Sequence, residues 1–297
     1  MTNTLPWLVI GHGAIGSLVA SRLVQLGYPV ELKLRPEQAA TNTKQLQLGD
    51  DSLTLEATTE LSGPRWIFAA VKAYQVEPLM AELKQSQSFQ ESRLVISYNG
   101  MLTNEAQLFG DHDAHWVTTH GAYREGSQVV HAGKGQSWIG SQNPNMTVAT
   151  ELREQLAQAL PPLEVVTSIA TRRWLKLAVN CLINPYTLLH QCLNGQLEEQ
   201  VTRQQWTYVA QEITQLAHHH GIRLTTEDIL EQAGKVVAAT AKNRSSMLQD
   251  FLQGRTTEID YLNGFVATAS TEAGLAAPHN YELWQQVKRL SRARDLQ

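Results

Sequence analysis

Along its first half the chain alternates short apolar runs with stretches whose apolar residues recur at helical spacing. Trp7-Leu8-Val9-Ile10 is an unbroken apolar run of strand length. Residues 14–26 carry the amphipathic helical pattern, and Gly27 stands where a helix C-cap belongs. Residues 30–34, 66–71 and 94–97 read as further strands, and 76–84 as a helix. Strands alternating with helices predict a doubly wound, mostly parallel sheet. From residue 116 to 139 the pattern changes to Gly-punctuated β segments, which predict a meander at the sheet's edge.

After Pro161-Pro162 the strand signal fades. Residues 172–190, 198–220, 226–243 and 258–273 have helical periodicity, with Gly221 and Gly274 at expected C-caps. Thr225 with Asp228 three residues on resembles a capping box. The expected architecture is α/β. It has an N-terminal Rossmann-type doubly wound sheet (residues 1–168) and a C-terminal all-helical domain (169–297).

The turn after the first strand is Gly11-His12-Gly13-Ala14-Ile15-Gly16. A dinucleotide needs glycine three times here: for the tight turn, for backbone approach to pyrophosphate, and for helix–strand packing. The helix that follows presents free N–H groups and its positive dipole end to phosphate. In NAD enzymes a carboxylate ends the second strand and holds the ribose hydroxyls. Here that edge ends in Arg35, followed by Pro36. A guanidinium at this place suits a 2′-phosphate, so the expected cofactor is NADPH/NADP+. Lys72 stands at the next strand's carboxyl edge and reads equally as a ribose or phosphate contact and as a solvated lysine; Gln75 is a weaker candidate. Asn99-Gly100 ends the strand at 94–97 and reads equally as a ligand contact and as a plain turn.

The most informative segment of the second half runs from Arg172 to Pro185. Lys176, Asn180 and Asn184 are spaced four apart and share one helix face, while nearly everything else from Leu175 to Ile183 is apolar. A solvated face would carry better helix formers than asparagine. The stripe therefore reads as the lining of a polar ligand site. Pro185 cannot donate to the carbonyl of Cys181, which predicts a kink with a free carbonyl at the stripe's end. Glu258 near a helix start is, on pattern alone, a dipole-complementing acid.

Composition narrows the picture. A formal net charge of −4 excludes the basic field that nucleic-acid binding needs. The two cysteines, Cys181 and Cys192, are too few for a disulfide framework and read as reduced, buried thiols. The His218-His219-His220 run suits a helix C-terminus, His120 and His131 read as structural, and no metal is expected. The opening stretch lacks the features of a signal peptide, and no uncharged apolar run reaches membrane-spanning length. The expectation is a cytoplasmic enzyme, monomeric or homodimeric, without nucleic acid or membrane partners.

Together these motifs resemble the ketopantoate reductase (2-dehydropantoate 2-reductase) family. The resemblance rests on the Gly11/Gly13/Gly16 loop, Arg35, Val71-Lys72-Ala73, Asn99-Gly100-Met101, the segment from Leu175 to Cys181 with Asn184-Pro185, Ser245 to Asp250, and Thr257 to Gly264. It implies an active site in a cleft between a Rossmann and a helical domain, and reduction of 2-dehydropantoate to (R)-pantoate. It further implies Lys176 as proton donor and Glu258 as active-site acid. Asn99, Asn180 and Asn184 would bind substrate, and Ser246 its carboxylate, with Asn243 nearby. The cofactor contacts would be Gly11, His12, Gly13, Ala14, Ile15, Gly16, Arg35, Lys72, Gln75 and Asn99. Tyr98 and His12 depart from the family's usual residues. The rival readings are a related NADP-dependent 2-hydroxyacid or polyol-phosphate dehydrogenase, a non-catalytic NADPH-sensing regulator, and a methyltransferase using the loop for its own cofactor.

Arg35 generates a direct expectation. One charge-assisted hydrogen bond is worth roughly 1.5–3 kcal/mol, or about ten- to a hundredfold in affinity. Arg35→Ala loses most of the preference for NADPH over NADH, read as the ratio of the two dissociation constants. Equal use of both cofactors by the unmutated chain would contradict it.

Overall fold

The computed structural model describes residues 5–36 and 41–296, so the first four residues of the opening stretch lie outside it. The chain divides into two compact units, Met1–Tyr98 with Ala106–Ile169, and Asn99–Glu105 with Ala170–Gln297.

Among the described residues the first unit carries eleven strands in one sheet. They are β1 (Trp7–Ile10), β2 (Val30–Lys33), β3 (Thr43–Leu48), β4 (Asp51–Thr58), β5 (Trp66–Ala70), β6 (Arg93–Ser97), β7 (Ala114–Thr118), β8 (Gly121–Glu125), β9 (Gln128–Gly133), β10 (Ser137–Ser141) and β11 (Leu163–Val165). Its spatial order is β11-β10-β7-β6-β5-β1-β2-β4-β3-β9-β8. The helices here are α1 (Ala14–Gln25), α2 (Val76–Gln85), α3 (Gln87–Glu91) and, after the single turn α4 (Glu105–Leu108), α5 (Thr150–Ala159).

The strands from β4 through β2, β1, β5 and β6 to β7 run parallel. Parallel strands covered on both faces need continuous apolar runs, and every residue of β1 is buried. From β1 through α1 the chain steps to β2, whereas from β5 through α2 it steps the other way to β6. Right-handed crossovers then place α1 and α2 on opposite faces, which makes the sheet doubly wound. The strand order reverses between β1 and β5, and their carboxyl ends are where open α/β sheets bind ligands.

Four features of this unit differ from the sequence expectation. The hairpin β3–β4 was not foreseen, although Gly49-Asp50 separates two alternating stretches, the usual signal for one. α5 and β11 were not foreseen either. The expected meander at one edge is a correction: β7 and β10 pair with each other beside β6, while the hairpin β8–β9 joins β3 at the opposite edge. Local pattern identifies strands but not the edge they join, because pairing partners are distant in sequence.

The second unit is helical: α6 (Ile169–His190), α7 (Leu197–Gln200), α8 (Arg203–His219), α9 (Thr226–Ala239), α10 (Ser246–Leu252), α11 (Asn263–Glu272) and α12 (Pro278–Asp295). The expected helix over 198–220 is two helices, because Thr202 caps α8 by accepting from the Gln205 N–H. The Thr225–Asp228 capping box forms as expected. The expected helix over 258–273 begins as a tight turn, Ile259–Tyr261, before α11.

Pro185 lies inside α6, and the helix continues through it to His190. The carbonyl of Cys181, which Pro185 leaves without its helical donor, is not free. Asn263 Nδ2 donates to it at 3.2 Å and to Asn280 Oδ1 at 2.9 Å. Asn280 donates in turn to Glu212 Oε2 at 2.8 Å and to the Val209 carbonyl at 3.2 Å. Both asparagines are fully buried, so each bond stands in for one that water cannot supply.

Asn263→Ala therefore strands a buried carbonyl and a buried amide oxygen, at a cost of roughly 1–3 kcal/mol each. Adding Pro185→Ala returns an N–H to the Cys181 carbonyl and recovers part of the loss. Denaturant unfolding of the single and double variants checks this; a double variant no more stable than Asn263→Ala would count against it.

Candidate functional site

At the end of β1 the backbone of Gly11 has φ +88, and a Cβ there would lie 2.1 Å from the Ala70 carbonyl oxygen. A Cβ on Gly16 would lie 1.8 Å from the Gly11 carbonyl oxygen. Only glycine lets strand, turn and helix approach this closely. Around Gly13, by contrast, a Cβ would meet nothing within 4 Å. Gly13 caps α1 with no side-chain hydrogen bond, and Ala14 and Ile15 begin the helix, so its first N–H groups are left for a ligand. Tight packing behind the loop and open space at its crest fit a dinucleotide's pyrophosphate.

Arg35 is exposed just beyond β2. Lys72 is half-buried after β5, and its N–H donates to Gln75 Oε1 at 3.0 Å, so Gln75 shapes the turn that presents Lys72. Tyr98 packs against Phe109 and His115, with ring centroids 6.4 and 6.0 Å away. His120 and His131 meet at 3.0 Å, and His120 Nδ1 also accepts from the Gly135 N–H, so His131 is the donor of the pair. His220 packs on Trp174, and both cysteines are buried free thiols.

In the second unit α6 brings Lys176, Asn180 and Asn184 along one face, among the buried Leu177, Ala178, Cys181 and Leu182. Burial pushes the Lys176 ammonium down to about 8, and the charge of Glu258 works in the opposite direction. No described residue accepts a hydrogen bond from Lys176. The ammonium thus has three donors to offer and a carboxylate whose charge favours its protonated form.

Glu258 is buried and precedes the turn at Ile259–Tyr261. Its Oε2 accepts from Asn99 Nδ2 at 3.0 Å. Asn99 was read from sequence as the end of a strand of the first half; it belongs to the second unit. The reason is local. Gly100, with φ +82, lies so close to Tyr261 that a Cβ would be 2.2 Å from its carbonyl oxygen, and that carbonyl accepts from the Met101 N–H at 2.9 Å. At the far end of the same segment Arg173 makes two hydrogen bonds of 2.6 Å to Glu105. The segment from Asn99 to Glu105 is fastened to the helices at both ends.

The amides of Asn180 and Asn184 make no side-chain hydrogen bond to any described residue. The Thr187 hydroxyl donates to the Asn184 carbonyl at 2.9 Å and reaches the Ser245 hydroxyl at 2.6 Å. Ser245 caps α10 by accepting from the Leu248 N–H at 3.1 Å. This leaves Ser246 exposed on the helix's first turn, with Asn243 exposed ahead of it. Asn194, which sequence reading missed, donates its N–H to the Asn243 carbonyl at 2.9 Å and its side chain to Thr240 at 2.8 Å. Its Oδ1 is buried and without a partner among the described residues. No periodicity pointed to it, because it lies in a turn.

The comparisons agree with the two-unit layout. Residues 7–144 match the family model described as ketopantoate reductase PanE/ApbA, and residues 168–291 match the ketopantoate reductase PanE/ApbA C-terminal model. The 2-dehydropantoate 2-reductase of Vibrio cholerae is 34% identical over 96% of this chain and 98% of its own. That of Yersinia pestis is 32% identical over 95% of this chain and 93% of its own. A solved complex of D-mandelate dehydrogenase with NADH superposes with a TM-score of 0.85 at 19% identity, covering 97% of this chain and 99% of that one, which shows a shared fold. Matched along nearly its whole length, with its glycine loop in one unit and its lysine stripe in the other, this chain belongs to the ketopantoate reductase family.

Proposed function

We propose that this chain reduces 2-dehydropantoate to (R)-pantoate with NADPH, in pantothenate and coenzyme A synthesis, as a cytoplasmic monomer or homodimer. The observation that carries the reading is Lys176: a half-buried ammonium on an apolar helix, unbonded among the described residues and held charged by Glu258. Among the described residues no helix is long and apolar enough to cross a membrane. The direct test is NADPH oxidation, followed spectrophotometrically with 2-dehydropantoate and with linear and branched 2-keto acids. A chain that oxidises NADPH faster with another keto acid would overturn the substrate assignment.

When bound, the nicotinamide cofactor supplies the hydride. The chain's part is to hold the reactants and deliver a proton. The Lys176 Nζ donates to the keto oxygen and gives up its proton as negative charge develops there. Lowering an ordinary lysine to about 8 brings the donor's strength close to working pH while leaving it mostly protonated at neutrality. Glu258 and Asn99 form one hydrogen-bonded unit that holds the ammonium and accepts from the substrate hydroxyl. Asn180 and Asn184 offer unengaged amides on the same helix face, and the hydroxyl of Ser246 holds the substrate carboxylate. Gly11 to Gly16 cradle the pyrophosphate, Arg35 takes the 2′-phosphate, and Lys72, presented by Gln75, reaches the ribose or phosphate.

The sign of the pH dependence follows from the donor. The active form of Lys176 is protonated, so kcat/KM for reduction falls as pH rises through about 8. Glu258 raises the lysine's proton affinity, so Glu258→Gln moves that midpoint to lower pH. A midpoint that stays put, measured in pH profiles of parent and variant, would count against the pairing.

A positioned proton donor contributes about 10²–10⁴ in rate. Lys176→Ala loses that much of kcat while the NADPH dissociation constant stays near the parent's, and Lys176→Arg does not restore it, since guanidinium holds its proton far more tightly. A lysine serving only structure would lower the melting temperature and leave turnover within a few-fold.

A further inference from the structure

The glycine loop is surrounded by more positive charge than Arg35 supplies. His12, at the loop's second position, is half-buried, and burial depresses its imidazole. Three cations act in the same direction, in the order Arg124, Lys44 and Arg35. Arg124 comes from β8, Lys44 from β3 and Arg35 from the end of β2. The hairpin β8–β9 reaches α1 because β9 pairs with β3 at the sheet's edge, through Gln47–Gln128 and Leu48–Val129. Arg124 Nη1 donates to the His12 carbonyl oxygen, which also accepts from the Ser17 hydroxyl at 3.1 Å.

Arg124 is half-buried, and burial lowers its proton affinity. Neither Arg124 nor Lys44 forms an ion pair with any described residue. One backbone carbonyl engages a single arm of the guanidinium and leaves its other donors unused. Removing charge from water without an opposite charge is costly, and like charges gathered together raise the cost further. A dianionic group arriving among these side chains would reverse both penalties. Of the expected cofactor's phosphates, only the monoester on the adenosine ribose is dianionic, and Arg35, one of the three cations acting on His12, stands at the strand edge where that group is expected.

We propose that Arg124 and Lys44, together with Arg35, form the seat of the cofactor's 2′-phosphate, an inference that rests on the NADPH reading above. The hairpin β8–β9 is then part of the dinucleotide site, and nucleotide preference is set from both ends of the extended β2–β4–β3–β9–β8 region. Lys44 is the cleaner probe, because it bonds to no other described group.

The experiment measures dissociation constants of NADPH and NADH by fluorescence titration for the parent chain, Lys44→Ala, Arg124→Ala and Arg124→Lys. Adenosine 2′,5′-bisphosphate and adenosine 5′-monophosphate serve as calorimetric probes that need no keto acid. Lys44→Ala and Arg124→Ala each lose about tenfold or more in affinity for NADPH and for the bisphosphate. Their affinity for NADH and the monophosphate changes much less, and Arg124→Lys retains part of the preference. If Lys44→Ala leaves the NADPH-to-NADH ratio unchanged, the seat is overturned while a parent preference for NADPH keeps the cofactor reading standing. If Arg124→Ala weakens both cofactors equally, Arg124 acts only through the loop and its place in the seat is overturned. A parent chain that does not favour NADPH overturns both.

Discussion

An ammonium group inside an apolar helix needs a negative charge, and α6 itself does not supply one near Lys176. That constraint organises the second unit's chemistry. The carboxylate comes from Glu258, far along the chain, and is buried where it meets the lysine's field. Its Oε2 is held by Asn99, which lies equally far away in the other direction. Asn99 can be there only because Gly100 presses its backbone against the Tyr261 carbonyl, where any side chain would collide. The bidentate Arg173–Glu105 pair, partly buried on both sides, fixes the other end of that segment to α6. The charge that acts on Lys176 is thus held within a set of three long-range attachments.

The asparagines divide by the same logic. Asn263 and Asn280 are fully buried and bonded to each other, with Glu212 and the Cys181 carbonyl completing the network. Their role is to satisfy a helix interrupted by Pro185. Asn180 and Asn184 lie on the lysine's face with amides that no described residue engages. Sequence spacing alone could not separate the two groups, since all four are asparagines in helical surroundings. The separation comes from which amides the fold has already used.

Legibility in the sequence followed the range of the interactions. β1, α1, β5 and β6 were readable because their apolar runs and glycine punctuation are local. The Thr225–Asp228 box was readable for the same reason. The glycine loop is legible because its glycines fall at a fixed local spacing that the close approaches at Gly11 and Gly16 require. The opposite edges taken by β7–β10 and β8–β9 were not readable, because strand pairing joins residues far apart. Pro185 was read correctly as freeing a carbonyl, but its acceptor role depends on Asn263, which no local rule connects to it. Arg124 and Lys44 carry no local signal, since each is an ordinary cation on a strand, and Arg124 reaches the His12 carbonyl only because the hairpin β8–β9 joins β3.

The contrast between the two recognition problems explains this uneven legibility. A pyrophosphate is held by successive N–H groups at one helix start, so its signature is a short motif with fixed spacing. On the reading proposed above, a keto acid with a hydroxyl and a carboxylate would be matched by side chains of different chemistry, Asn99, Lys176, Asn180, Asn184, Ser246 and Glu258, drawn from four separate stretches. Side-chain recognition of that kind can change one residue at a time, whereas the loop tolerates almost no substitution at Gly11 or Gly16 without a backbone clash. The loop therefore constrains the cofactor class tightly, and the scattered side chains leave substrate choice open to variation within a constant fold. Substrate identity has to be argued from the lysine-bearing face and its carboxylate partner, because the architecture around them is shared more widely than the chemistry.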